Sequence, residues 1–151
     1  MIREATETRK RVLIVDDEPD LVRTIGLRLQ KAGYDVLSAP DAVTATQTAV
    51  SQRPDAIVLD IGLPGGDGHL VAARLRVNLR TAGIPIIFVT ARTSRGDVAK
   101  AQARGAFGYL VKPYEPAELL DLLKRATGGD MPDEPVMVVS GAAAPVRAYS
   151  R

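Results

Sequence analysis

Residues 11–19 read Arg11-Val12-Leu13-Ile14-Val15-Asp16-Asp17-Glu18-Pro19, and this stretch decides the fold. Four aliphatic residues bounded by Arg11 and Asp16 read as a short strand covered on both faces. The following Asp17-Glu18-Pro19 suits a helix start, since proline is favoured at the first helical position and acids near a helix N-terminus. Leu21, Val22, Ile25 and Leu29 then fall on one helical face, and Gly33 is placed to end the helix.

The same strand-then-helix unit recurs to Ala126. Further strands are expected at Asp35-Val36-Leu37-Ser38, Ala56-Ile57-Val58-Leu59, Ile84-Pro85-Ile86-Ile87-Phe88-Val89 and Gly108-Tyr109-Leu110-Val111. The second helix begins at Asp41, a plausible N-cap, and is mostly alanine and threonine. A third helix over 68–80 sets Val71, Leu75 and Leu79 on one face. The fourth, over 94–104, is the weakest, with Gly96 inside it and Val98 as its one large apolar residue. The last, over 116–126, presents Leu119, Leu122 and Leu123. Parallel strands need crossover helices, so the alternation predicts an α/β domain with a doubly wound parallel sheet. Residues 1–10 form an N-terminal extension and 11–126 the domain. From Thr127 the glycines and prolines of 128–135 and 141–145 predict a flexible tail or linker, in which only Pro135-Val136-Met137-Val138-Val139 is strand-like, with a docking strand or the start of a further domain as the minority reading.

Composition narrows the chemistry. With no cysteine and a single His69, a disulfide framework, a thiolate zinc site and a histidine metal cluster are excluded, and a Ser/His/Asp triad is a poor fit. Lys and Arg number 20 against 18 Asp and Glu, too balanced to argue for nucleic-acid binding. No tryptophan and only two phenylalanines argue against a base-stacking platform. No apolar run is long enough for a membrane span, and 1–11 is too charged for a signal peptide, so a cytoplasmic protein is expected.

Ligands of doubly wound sheets collect beyond the carboxyl ends of the strands. Those ends carry Asp16-Asp17, Asp60, Thr90-Ala91 and Lys112-Pro113, while the second strand contributes nothing ionisable in Ser38-Ala39-Pro40. Three carboxylates, a hydroxyl and an ammonium are therefore expected in one pocket. Like charges this close repel, so a cation must neutralise them or a carboxyl must stay protonated. Mg²⁺ suits such a pocket, being a hard ion that takes oxygen ligands. Each piece alone has an ordinary reading: Asp17-Glu18-Pro19 equally fits a helix cap, and a lysine such as Lys112 is usually only solvated. Their placement on separate strand ends is what points to phosphoryl chemistry on a carboxylate.

In this order the residues closely resemble the receiver domain of bacterial two-component response regulators. The stretches Leu63-Pro64-Gly65-Gly66-Asp67-Gly68 and Gly105-Ala106-Phe107-Gly108-Tyr109-Leu110-Val111-Lys112-Pro113 are similar to that family too. The resemblance implies a flavodoxin-like five-stranded sheet of order 2-1-3-4-5. It makes Asp60 the phosphoacceptor, Asp17 a direct Mg²⁺ ligand, Asp16 a ligand through water, and the Gly62 carbonyl a third protein ligand. Lys112, the Thr90 hydroxyl and the Ala91 N–H would hold phosphoryl oxygens, and the Lys112-Pro113 bond would be cis. Thr90 and Tyr109 would form a switch in which the ring moves from exposed to buried. Arg92 sits at the rim, and His69 reads as a surface residue at a helix start. The pattern departs from the family at Gly62 and Gly66, where side chains are common.

The implied partners are a sensor histidine kinase or histidine phosphotransfer protein, and a downstream protein. The downstream protein would be met by the face of the fourth helix, fifth strand and fifth helix, where Arg92, Arg95, Lys100 and Arg104 make a basic patch. A phosphorylation-dependent homodimer is among the expected assemblies, while direct nucleic-acid binding and membrane insertion are not. The expectation is a signalling domain rather than an enzyme, preferably stand-alone, with a receiver excised from a longer regulator as the alternative. An aspartate-nucleophile phosphohydrolase resembling the haloacid dehalogenases is a minor alternative. It needs a second Asp two residues after the nucleophile as general acid, where this chain has Gly62.

Overall fold

A computed structural model describes residues 9–91, 95–128 and 136–139. The elements run β1 (Arg11–Val15), α1 (Pro19–Lys31), β2 (Asp35–Ala39), α2 (Ala42–Gln52), β3 (Ala56–Leu59) and α3 (Gly68–Arg76). They continue with β4 (Ile86–Thr90), α4 (Arg95–Ala103), β5 (Gly108–Val111), α5 (Pro116–Thr127) and β6 (Val136–Val139). All strands pair in parallel, in the order β2-β1-β3-β4-β5-β6. The five-strand order implied by the resemblance is present, with one strand added beyond β5.

The two-residue strand period sorts the core into two layers. Leu13, Val15, Ile57, Leu59, Phe88 and Tyr109 face α2, α3 and α4, which contribute Ala45, Ala49, Val71, Leu75 and Val98. Val12, Ile14, Val58, Ile87, Val89 and Leu110 face α1 and α5, which contribute Ile25, Leu29, Leu119, Leu122 and Leu123. Helices thus cover both faces, which is why the strands read as nearly unbroken aliphatic runs. Helix α1 ends as its sequence suggests. Gly33, at φ +103°, donates to the Gln30 carbonyl and Tyr34 to the Leu29 carbonyl, the paired bonds of a Schellman motif. Asp41 caps α2 by accepting from Thr44 N–H at 2.7 Å.

Helix α3 departs from the expected 68–80 span. It stops at Arg76, and Leu79, expected on the core face, is 99% exposed. Local side-chain bonds compete with the helix here. The Thr81 hydroxyl donates to the Leu75 carbonyl at 2.7 Å, and the Asn78 side chain accepts from Arg80 N–H at 2.9 Å. Arg76 fixes the new path: its guanidinium donates to the carbonyls of Ala82, Ile84 and Arg104 at 2.8–2.9 Å, and to that of Gly105 at 3.3 Å. Burial lowers the pKa of this guanidinium from its ordinary value. Arg76→Leu strands those carbonyls and should cost about 2–3 kcal/mol, the scale of bonds to a charged donor. Urea unfolding checks this; a loss below measurement error would mean the bonds are dispensable.

The tail also departs from expectation. Helix α5 continues through Thr127, and Val136–Val139 pair with Gly108–Val111 as β6. Without it β5 would present the unpaired N–H and C=O groups of an edge strand, and a proline-free valine run is suited to satisfy them. The rest of the expected flexible tail lies outside the described residues. None of the described helices is long and apolar enough to cross a membrane.

Candidate active site

The strand register carries straight into the site. Val15 lies opposite Leu59, Leu59 opposite Phe88, and Thr90 opposite Val111. One residue further on, Asp16 N–H donates to the Ala39 carbonyl at 3.2 Å, Asp60 N–H to that of Val15 at 3.0 Å, and Lys112 N–H to that of Thr90 at 2.8 Å. The site residues are thus the first past their strands, each held by a last ladder-like hydrogen bond. Rigid backbone, rather than a long loop, sets their spacing.

Asp16, Asp17 and Asp60 each offer a carboxylate oxygen within 4.8 Å of the others. Lys112 Nζ bridges two of them, donating to Asp16 Oδ2 at 2.9 Å and Asp60 Oδ2 at 3.2 Å. The other oxygens take backbone donors: Asp16 Oδ1 accepts from Glu18 N–H at 3.0 Å, and Asp60 Oδ1 from Gly62 N–H at 3.1 Å. Asp16 is buried at 7% exposure, Asp60 half-buried, and Asp17 exposed at the mouth. Burial by itself pulls the Lys112 pKa down, but the Asp16 hydrogen bond and the Asp60 and Asp16 charges outweigh it, so the net shift is upward. One ammonium against three carboxylates leaves a negative pocket lined with hard oxygen donors. That donor set fits a hard divalent cation such as Mg²⁺.

Thr90 ends β4, one strand over from Asp60, and is buried; Ala91 follows it and is exposed. The Lys112-Pro113 bond is cis, as the resemblance implies. Tyr109 is already inward, 1% exposed, with its ring centroid 6.2 Å from that of Phe88. Two expectations lie outside the described residues: Arg92 altogether, and the side chain of Arg95. Lys100 and Arg104 are exposed as expected.

His69 requires a correction. Read as a surface residue, it is buried at 5% exposure, with Nε2 3.2 Å from Asp97 Oδ1 and its ring against Phe88 at 5.3 Å. The second position of a helix reads as surface only while no other element covers it, and here α4 does. Sequence reasoning quoted Gly68 within the stretch Leu63–Gly68 but gave it no role of its own. Its N–H donates to the Ile61 carbonyl at 2.7 Å, and a Cβ there would lie 2.3 Å from the Asp60 carbonyl oxygen. Only the absence of a side chain lets α3 start this close to Asp60.

Tyr114 sits beside the site, and burial pushes its phenol up to about 12; the Lys112 charge opposes this and the Asp16 charge adds to it. The folded state holds this proton more tightly than the unfolded chain. The resulting stability is complete below pH about 10 and is lost as pH rises through about 12. Phenolate absorbance should show a late-ionising step whose amplitude falls by one tyrosine in Tyr114→Phe. An unchanged late amplitude in that variant would assign the step elsewhere.

A doubly wound parallel sheet whose strand ends gather three aspartates under one lysine defines a receiver-type α/β domain. The family model of the response regulator receiver domain matches residues 12–124. The chain belongs to this family, the receiver domains of two-component systems. It is 41% identical over 110 residues to the DNA-binding dual master transcriptional regulator RpaA of Synechocystis sp., covering 73% of this chain and 46% of that protein. It is 38% identical over 132 residues to the phosphate regulon transcriptional regulatory protein PhoB of Pseudomonas aeruginosa, covering 85% and 58%. The chain spans about half the length of these curated relatives. Among solved structures it is similar to the Vibrio cholerae chemotaxis response regulator CheY4, with TM-score 0.74 and 34% identity, covering 79% of this chain and 99% of that one. The receiver domain of a Pseudomonas aeruginosa sensor histidine kinase, with a magnesium ion coordinated in its active-site cleft, gives TM-score 0.74 and 34% identity, covering 81% and 100%.

Proposed function

We propose that this chain accepts a phosphoryl group on Asp60 from a histidine kinase or histidine phosphotransfer protein, and so alters a partner-binding surface. The observation that carries the reading is the contact of Lys112 with Asp16 and Asp60, beside a third carboxylate from Asp17. Asp16, Asp17, Asp60 and the Gly62 carbonyl are the groups that would hold Mg²⁺. When bound, the ion supplies positive charge that offsets the charge of the attacking carboxylate and of the transferring group.

The chain's own residues do the rest. An Asp60 carboxylate oxygen attacks phosphorus in line; the new O–P bond forms as the N–P bond to the donor imidazole breaks, and the imidazole nitrogen leaves with the bonding pair. Lys112 keeps one side of the pocket positive while charge moves onto the phosphoryl oxygens. The Thr90 hydroxyl and Ala91 N–H, at the end of the adjacent strand, take a further oxygen. Gly62 N–H, already on Asp60 Oδ1, orients the nucleophile. Movement of Thr90 and Tyr109 then biases a pre-existing equilibrium, because phosphate binds one state better. In this reading the inward Tyr109 is the ring position that phosphorylation favours over an outward one.

The readout is a downstream protein on the α4-β5-α5 face, in a cytoplasmic setting. Two contexts fit this role, the first being a stand-alone receiver. The second, a receiver within a longer regulator, is favoured by the 46% and 58% coverage of relatives named as regulators of transcription. The parent reading frame on either side of this sequence separates the two.

With Mg²⁺ and acetyl phosphate, the protein should gain one acid-labile phosphate by intact mass, and Asp60→Asn should gain none. An Asp60→Asn variant labelled at the wild-type rate would overturn the assignment.

A further inference from the structure

Helix α4 is held to the domain in an unusual way. Among its described side chains only Val98 and Ala101 are buried, a slender apolar attachment for a helix of nine residues. Among the described residues, polar anchorage comes to it from the two ends of α3. His69 and Arg76 lie about two helical turns apart, hence on one face. His69 meets Asp97 in the first turn of α4, while Arg76 takes the carbonyls of Arg104 and Gly105 just past its last turn.

The two attachments differ in strength. Arg76 reaches four carbonyls, two of them in the segment before β4, so this end is stapled to the body of the fold. The His69–Asp97 contact is one hydrogen bond between side chains only 6% and 15% exposed. A carboxylate only accepts, so His69 Nε2 carries the hydrogen; Nδ1 is buried and has no partner among the described residues. Among the described residues nothing else polar holds the ring.

His69 is also wired to the phosphoacceptor. Its N–H donates to Asp67 Oδ1 at 2.7 Å, and the preceding Gly68 donates to Ile61 and lies against the Asp60 carbonyl. The backbone 60–68 therefore closes on itself with His69 at its exit. Its ring rests on Phe88, which in turn neighbours Tyr109.

We propose that His69 is a positioning residue that transmits the state of the Asp60 loop to α4. Asp97 is the end that lets go, and Arg76 the pivot about which the helix turns. The trigger rests on Asp60 being the phosphoacceptor; the tether itself does not.

His69 is the single histidine of the chain, so its Nε2–H gives one unambiguous NMR signal. In unphosphorylated protein that signal should be protected, and Asp97→Ala should abolish the protection. The same variant should speed amide exchange in the first half of α4 by about two- to tenfold, the equivalent of one hydrogen bond, leaving the half beside Arg104 unchanged. His69→Leu should match it, and His69→Gln, which can still donate, should restore part of the protection. Phosphorylation with Mg²⁺ and acetyl phosphate, followed by intact mass, should weaken the wild-type signal and leave α4 exchange in Asp97→Ala unaltered. A signal protected equally in Asp97→Ala, or unchanged in fully phosphorylated wild type, overturns the proposal. Wild-type protein that takes up no phosphate sinks the phosphoacceptor reading instead, and the tether then stands or falls on Asp97→Ala alone.

Discussion

Gly68→Ala is expected to destabilise the domain by about 3 kcal/mol, the upper part of the range for forced overpacking, and to slow phosphorylation of Asp60 severely. The added Cβ would lie 2.3 Å from the Asp60 carbonyl oxygen, 2.7 Å from Ile61 Cα and 3.0 Å from the Asp60 carbonyl carbon. All three are backbone atoms, so no flexible side chain can swing aside. Relief requires α3 to slide away from β3, which breaks the 2.7 Å bond from Gly68 N–H to the Ile61 carbonyl. Because the displaced atoms belong to the peptide of Asp60, the proposed phosphoacceptor, stability and reactivity should fall together. Urea unfolding and the rate of phosphorylation by acetyl phosphate measure the two. A variant as stable and reactive as wild type would mean that the backbone here yields far more easily than its packing indicates.

Lys112→Met should act differently, separating the metal-free state from the loaded one. Without the ammonium, Asp16 keeps a buried negative charge beside Asp60 and Asp17, with no cation between them. Removing one partner of a buried ion pair costs about 3–5 kcal/mol; the Lys112 side chain is 19% exposed, so a smaller loss of about 2–3 kcal/mol is expected. Mg²⁺ held at the proposed site would bind only the folded arrangement and restore positive charge there, so it should raise the melting temperature of the variant more than that of wild type. Thermal melts with and without Mg²⁺ test this. Equal Mg²⁺ shifts in both proteins would show that lysine and metal do not share the same carboxylates.

Much of this was legible in the sequence because the fold places chemistry next to its clearest signal. Parallel strands covered on both faces, such as Val12–Val15 and Ala56–Leu59, give aliphatic runs, and the site residues Asp16, Asp60 and Lys112 are simply the next residues along. What escaped depends on contacts between elements. Apolar spacing carried α3 on to Leu79, because periodicity cannot register that Asn78, Thr81 and Arg76 redirect the backbone with side-chain bonds. His69 read as surface because its burial is created by Asp97, on a helix whose own pattern is faint. The Val136–Val139 run was visible, but its partner Gly108–Val111 is remote in sequence, and no local rule joins them.

The central claim is that Asp60, held by Gly62 and Lys112 among two further aspartates, is the group that receives phosphate. Borohydride reduction of the phosphorylated protein converts an aspartyl phosphate to homoserine, and peptide mass spectrometry then locates it. Homoserine at position 60 and nowhere else is the expected result. Reduced residues at Asp16 or Asp17, or phosphate bound with position 60 unreduced, would contradict the account.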